Sequence, residues 1–188
     1  MFNLPTLLTW MRIVLIPLFV GVFYFDQSWV SPPMQNLVAT VIFVAAALTD
    51  WLDGWIARRM QLMSAFGAFL DPVADKLMVA AALIILLQLN RCDAWIALVI
   101  IGREITISAL REWMAQIGKS RSMTVSLIGK FKTGAQMVAI PLLLYHDPIG
   151  VFDPQYVGTW LIWAAAVLTI WSMVYYLQMA WPALSGKS

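Results

Sequence analysis

Asp50-Trp51-Leu52-Asp53-Gly54-Trp55-Ile56-Ala57-Arg58, and after a short gap Gly67-Ala68-Phe69-Leu70-Asp71-Pro72-Val73-Ala74-Asp75, place four aspartates in a chain otherwise apolar enough for a bilayer. An ionised carboxylate at membrane depth is costly and tends to mark function. On helices, the spacing of Asp50 to Asp53 and of Asp71 to Asp75 puts each pair on one side, one turn apart. Four carboxylates converging on one pocket repel unless cations hold them together. An oxygen-only donor set suits hard divalent metals such as Mg2+ or Mn2+. The plain alternative is a structural ion-pair set with Arg58, Arg59 or Lys76, but four carboxylates exceed those partners.

The surrounding chain fixes the solvent. With 62% hydrophobic and 12% charged residues, it does not read as a soluble domain. Its 188 residues fit a single integral membrane domain over 1–188, and a net charge of +2 is too small to argue for nucleic acid. Cys92 is the sole cysteine and reads as a small apolar filler. Hydropathy divides the chain into about six spans, at roughly 5–25, 35–57, 67–88, 94–115, 125–146 and 156–180. The expected fold is therefore an all-α integral membrane protein, a bundle of about six transmembrane helices. The N-terminus lacks the basic region and small-residue cleavage site of a signal peptide.

Basic residues set the expected orientation. Arg58 and Arg59 follow the second span, and Lys119 and Arg121 follow the fourth, flanked by Arg111, Lys130 and Lys132. The opposite connectors hold Arg91 beside Asp26, Asp93, Asp147 and Asp153. The positive-inside rule puts the basic loops and both termini in the cytoplasm. The aspartates then open toward the inner-leaflet headgroups.

The motif D-x-x-D-G-x-x-A-R followed by G-x-x-x-D-x-x-x-D, filled by Asp50, Asp53, Gly54, Ala57, Arg58, Gly67, Asp71 and Asp75, resembles the signature of the CDP-alcohol phosphotransferases. The opening Asn3 to Arg12, Gly102-Arg103-Glu104-Ile105, Ala109 to Trp113 and Gly129 to Thr133 resemble the bacterial branch that makes phosphatidylglycerophosphate. That branch transfers the phosphatidyl group of CDP-diacylglycerol to glycerol 3-phosphate and releases CMP. The resemblance implies two Mg2+ or Mn2+ ions on Asp50, Asp53, Asp71 and Asp75, with Asp75 also the catalytic base. It assigns CDP-diacylglycerol binding to Asp53, Gly54, Ala57, Arg58, Ser64, Gly67, Thr9 and Arg12. Thr6 stands where many relatives have Asn, and Arg12 could instead snorkel. A homodimer in the bacterial inner membrane, with its active site at the cytoplasmic face, is also implied.

A dianionic acceptor phosphate needs fixed cations. Arg103 and Arg111, eight apart and close to one helical face, are the first candidates, then Lys130 and Lys132. The two lysines also read as topogenic flanks, and Arg59, Lys119 and Arg121 as loop charges. The ten tryptophans, five tyrosines and eleven methionines read as interfacial anchors and core. Two rival functions stay open. One is the same chemistry with inositol phosphate, serine or phosphatidylglycerol as acceptor. The other is a cation transporter, which expects carboxylates at the midplane rather than beside basic residues near one interface.

Overall fold

A computed structural model describes residues 4–60, 65–118 and 127–184, with all of their side chains except those at 4–8, 51, 53–60, 65–69, 127–128, 130 and 182–184. Six helices follow one another: α1 (Leu4–Val22), α2 (Pro32–Met60), α3 (Ala65–Gln88), α4 (Ala94–Gln116), α5 (Leu127–Tyr145) and α6 (Pro154–Leu184). Among the described residues the only other regular feature is an isolated bridge between Ile149 and Phe152. The hydropathy limits fall within a few residues of these bounds throughout, and α2 and α6, at 29 and 31 residues, are the longest helices.

Local chemistry sets the helix ends. Pro32-Pro33 opens α2, where a missing N–H costs nothing. Asp153 Oδ1 accepts from Tyr156 N at 3.1 Å, capping α6 just before Pro154. Asp26 Oδ1 accepts from Ser28 N at 2.8 Å in the first connector, and this bond holds its carboxyl below the usual range. Pro72 lies inside α3, which begins at Ala65. Pro17 and Pro141 are likewise internal. Helices packed among neighbours tolerate such breaks in the backbone ladder.

Among the described residues, two helices are apolar enough over sufficient length to cross a membrane, through Pro32–Asp50 and Pro154–Trp181, and Thr9–Val22 is a shorter apolar run. The others fall short because their charges lie inside them: Asp71, Asp75 and Lys76 in α3, Arg103, Glu104, Arg111 and Glu112 in α4, Lys130 and Lys132 in α5.

Successive helices run up and down, so the starts of α1, α3 and α5 meet the ends of α2, α4 and α6 at one end of the bundle. A main core fills the other half, built on Phe19, Phe43, Leu83, Leu86, Ile100 and Leu143. Phe19 packs on Phe43 with ring centroids 6.5 Å apart. Here α6 approaches α5 through Gly158, where an added Cβ would meet Leu143 Cγ at 2.9 Å. Cys92 packs against this core, as expected of a filler, and burial pushes its thiol up to about 11. A second, smaller cluster of Ile107, Met114, Tyr176 and Ala180 joins α4 to α6 near the opposite end.

Arg91, from the α3–α4 connector, ties the core end together. Its Nη1 donates to Leu143 O at 3.2 Å and Leu144 O at 2.8 Å, in the last turn of α5. Its Nη2 donates to Asn36 Oδ1 at 2.9 Å, and Asn36 Nδ2 donates to Asp147 Oδ2 at 3.2 Å. These bonds satisfy carbonyls that a helix terminus leaves without partners. His146 directly follows α5 with φ 62°.

Candidate active site

Asp50 near the end of α2 and Asp71 in α3 converge on one nitrogen of α1. Arg12 Nη1 lies 3.0 Å from Asp50 Oδ1 and 3.1 Å from Asp71 Oδ1. Thr9, one turn earlier on α1, donates its hydroxyl to Asp71 Oδ1 at 3.3 Å. Arg12 is buried, with 1% of its surface exposed, so it does not snorkel. The sequence reading gave Asp50 and Asp71 to the metal and Thr9 and Arg12 to CDP-diacylglycerol, and the fold brings the four into direct contact. Two carboxylates from different helices already face a single cationic position. Such hard oxygen donors fit a divalent ion.

Among the described residues no three His, Cys, Asp or Glu side chains form a metal-binding group. Asp53, the fourth expected ligand, has a side chain outside the described residues, as do Gly54, Ala57, Arg58, Gly67 and Lys130; Ser64 lies outside them entirely.

Asp75, one turn after Asp71, faces two ways. Toward α1 it shares the wall of a small void with Arg12, Phe43 and Met78. Toward α4, α5 and α6 it lines a cavity of about 220 Å³ with Lys76, Arg103, Glu104, Arg111, Gly129, Thr133, Gln136 and Tyr176. Helix α4 places Arg103 and Arg111 on the same wall, as their spacing suggested. Arg103 is buried, and its Nη1 donates to Glu104 Oε1 at 3.2 Å. Tyr176, fully buried on α6, takes both guanidinium groups over its ring, with Arg103 Cζ 5.8 Å and Arg111 Cζ 5.4 Å from the ring centroid. Arg111 Nη2 comes within 3.5 Å of the Tyr176 hydroxyl. The ring faces attract the cations and fix where they stand.

Lys132 differs from the expectation that it grips a phosphate directly. Its ammonium is buried, with 1% of the side chain exposed, and donates to Glu104 Oε1. An ammonium removed from water takes the nearest carboxylate, because an unpaired buried charge is far more costly. Lys132 therefore reaches the site through Glu104. The wall keeps Lys76, Arg103 and Arg111 against Asp75 and Glu104, so with Lys132 behind it the cavity is cationic.

Lys76, Glu104, Thr133, Gln136 and Tyr176 were not singled out as site residues from the sequence. Glu104 was visible only as a neighbour of Arg103. Tyr176 was hidden among aromatics that read as anchors. Gln136 carried a usable signal, a lone amide in the apolar run Gly134-Ala135-Gln136-Met137-Val138.

A model of the CDP-alcohol phosphatidyltransferase family matches residues 2–171. Among similar curated proteins are the CDP-diacylglycerol–glycerol-3-phosphate 3-phosphatidyltransferases of Escherichia coli (strain K12), Salmonella typhimurium (strain LT2) and Shigella flexneri (serotype 5b). Each is 52% identical over 182 residues, covering 95% of this chain and 95% of the relative.

Proposed function

The chain belongs to the CDP-alcohol phosphatidyltransferase family, and from that premise we propose that it transfers the phosphatidyl group of CDP-diacylglycerol to glycerol 3-phosphate, giving phosphatidylglycerophosphate and CMP. The identity to relatives named for this reaction supports the substrates. The observation that carries the mechanism is the position of Asp75, between the Asp50–Arg12–Asp71 cluster and the cationic cavity.

The cluster side is the nucleotide site. Asp50, Asp53, Asp71 and Asp75 are the residues that would hold one or two divalent cations, Mg2+ or Mn2+. When bound, such ions offset the charge of the diphosphate and stabilise the leaving CMP. Thr9 and Arg12 hold the carboxylates in register, while Asp53, Gly54, Ala57, Arg58, Ser64 and Gly67 complete the CDP-diacylglycerol site. The cavity side is the acceptor site. Arg103 and Arg111 bind the phosphate of glycerol 3-phosphate, with Lys130 and, through Glu104, Lys132 adding positive charge. The acceptor's primary hydroxyl is then directed at the phosphorus that carries the diacylglycerol. Asp75 takes its proton as the new P–O bond forms and the bond to CMP breaks.

This reading makes the whole chain one membrane domain with six spans, both termini cytoplasmic and the site open to the cytoplasmic face of the bacterial inner membrane. It also includes assembly as a homodimer. A lipid substrate and a water-soluble one meet there without either crossing the bilayer. The direct test is CMP release by purified protein offered CDP-diacylglycerol with glycerol 3-phosphate, inositol phosphate, serine or phosphatidylglycerol, with and without Mg2+. Turnover confined to glycerol 3-phosphate and requiring the ion is the expected result. Preference for another alcohol would overturn the acceptor assignment.

A further inference from the structure

Gln136 lies on α5, one turn beyond Lys132 and Thr133, in the wall of the cationic cavity. It is 3% exposed, and no donor among the described residues reaches its Oε1. Buried amide oxygens in folded proteins nearly always have a donor, and leaving one without is costly. The same wall holds the complementary group, for Arg103 Nε is a buried donor without a partner among the described residues. The cavity therefore presents one waiting acceptor and one waiting donor. An alcohol phosphate offers the matching pair, phosphate oxygens for the guanidinium and a hydroxyl for the amide oxygen. In glycerol 3-phosphate the reacting primary hydroxyl is committed to Asp75. The secondary hydroxyl is left, and it needs an acceptor near the phosphate end of the site.

We propose that Gln136 is a specificity-determining residue whose Oε1 accepts a hydrogen bond from the non-reacting hydroxyl of the acceptor, selecting a vicinal diol phosphate over a mono-alcohol phosphate of the same length. The inference rests on the cavity being the acceptor site. A site built to bind a hydroxyl discriminates against the analogue lacking it, because its own polar group is then left buried and unpaired.

The test compares glycerol 3-phosphate with its 2-deoxy analogue, 3-hydroxypropyl phosphate, as acceptors for CMP release from CDP-diacylglycerol. The wild type is expected to prefer glycerol 3-phosphate by about tenfold to a hundredfold in kcat/KM. Gln136→Met, of similar shape but without an acceptor oxygen, should bring that ratio close to one, with the loss falling on glycerol 3-phosphate. Gln136→Asn, which keeps the amide but draws it back, should give an intermediate ratio. The KM for CDP-diacylglycerol and turnover of the deoxy analogue report whether each variant is folded. An undiminished ratio in Gln136→Met, an equal loss on both acceptors, or no preference in the wild type would overturn the proposal; the wild-type ratio needs no variant to fold. A wild type active on both acceptors without preference removes the role of Gln136 alone. A wild type inactive on both removes the acceptor assignment, and the role of Gln136 falls with it.

Discussion

At one end of the bundle, Arg91 directs its guanidinium at Leu143 O, Leu144 O and Asn36 Oδ1, and Asn36 passes the network on to Asp147. At the other end, Arg103 reaches Glu104 with one nitrogen and leaves Nε unpartnered in a cavity it shares with Arg111 and Gln136. Arg91 serves helix ends, and the main apolar core packs beside it. Among the described residues a small apolar cluster stands near Arg103, and Lys132 pairs with Glu104 between α5 and α4. Buried charge is weak evidence of stability, since its desolvation offsets its attraction. Among the described residues, where the other end sets apolar side chains, the acidic and basic end thus sets charged and polar groups around a cavity. Substitutions at that end should change kinetics, and those at the Arg91 end should change stability.

The largest effect is expected at Asp75. Asp75→Asn keeps the shape but cannot accept a proton, so kcat should fall by about a hundredfold to ten-thousandfold while CDP-diacylglycerol still binds. Substantial turnover in a folded, membrane-inserted variant would remove Asp75 from the role of base. Asp50→Ala should lose activity together with its response to added Mg2+. If chelator and Mg2+ titrations give the wild-type activation curve in that variant, Asp50 is not a ligand.

Arg111→Ala should raise the KM for glycerol 3-phosphate by about tenfold to a hundredfold with the KM for CDP-diacylglycerol nearly constant. Arg111→Lys should recover only part, because an ammonium lacks the planar fork and packs differently against the Tyr176 ring. Full rescue by Lys, at equal inserted protein, would make Arg111 a simple topogenic charge. Arg91→Met should do the reverse. It strands the Leu143 and Leu144 carbonyls, at a cost of about 1–3 kcal/mol. The melting temperature in detergent should drop by roughly 2–10 °C with both KM values intact. A shifted KM in Arg91→Met would break the division between the two ends.

The sequence carried the acidic half of the site further than the basic half. Asp50 and Asp71 occupy motif positions, Thr9 and Arg12 lie in the opening stretch that resembles the family, and the fold places the four in contact across α1, α2 and α3; helix spacing alone relates only residues of one helix, such as Thr9 to Arg12. The helix limits were legible from hydropathy, α4 matching its expected span within a residue at its far end. Which cation meets which carboxylate was not legible. Glu104 lies 28 positions from Lys132, so their pairing depends on how α4 and α5 face each other. Tyr176, 65 positions from Arg111, comes from a helix apolar all round, where periodicity carries no direction. Gln136 was legible as an oddity in an apolar run, but its unpartnered oxygen exists only once the helices around it are in place.

The close approach at Gly158 carries a mechanical consequence. Gly158 and Tyr176 are on the same helix, 18 residues apart, which at 1.5 Å per residue is about 27 Å of a stiff rod. A side chain at Gly158 would press on Leu143 and pivot α6 about that point. A tilt of about 5° there would swing Tyr176 by roughly 2 Å over that lever arm, carrying with it the ring that both arginines lean on. The glycine therefore works as a fulcrum: its lack of a side chain, beside the Leu143 that Arg91 also holds, sets the line of the helix that carries the Tyr176 ring at the other end of the protein.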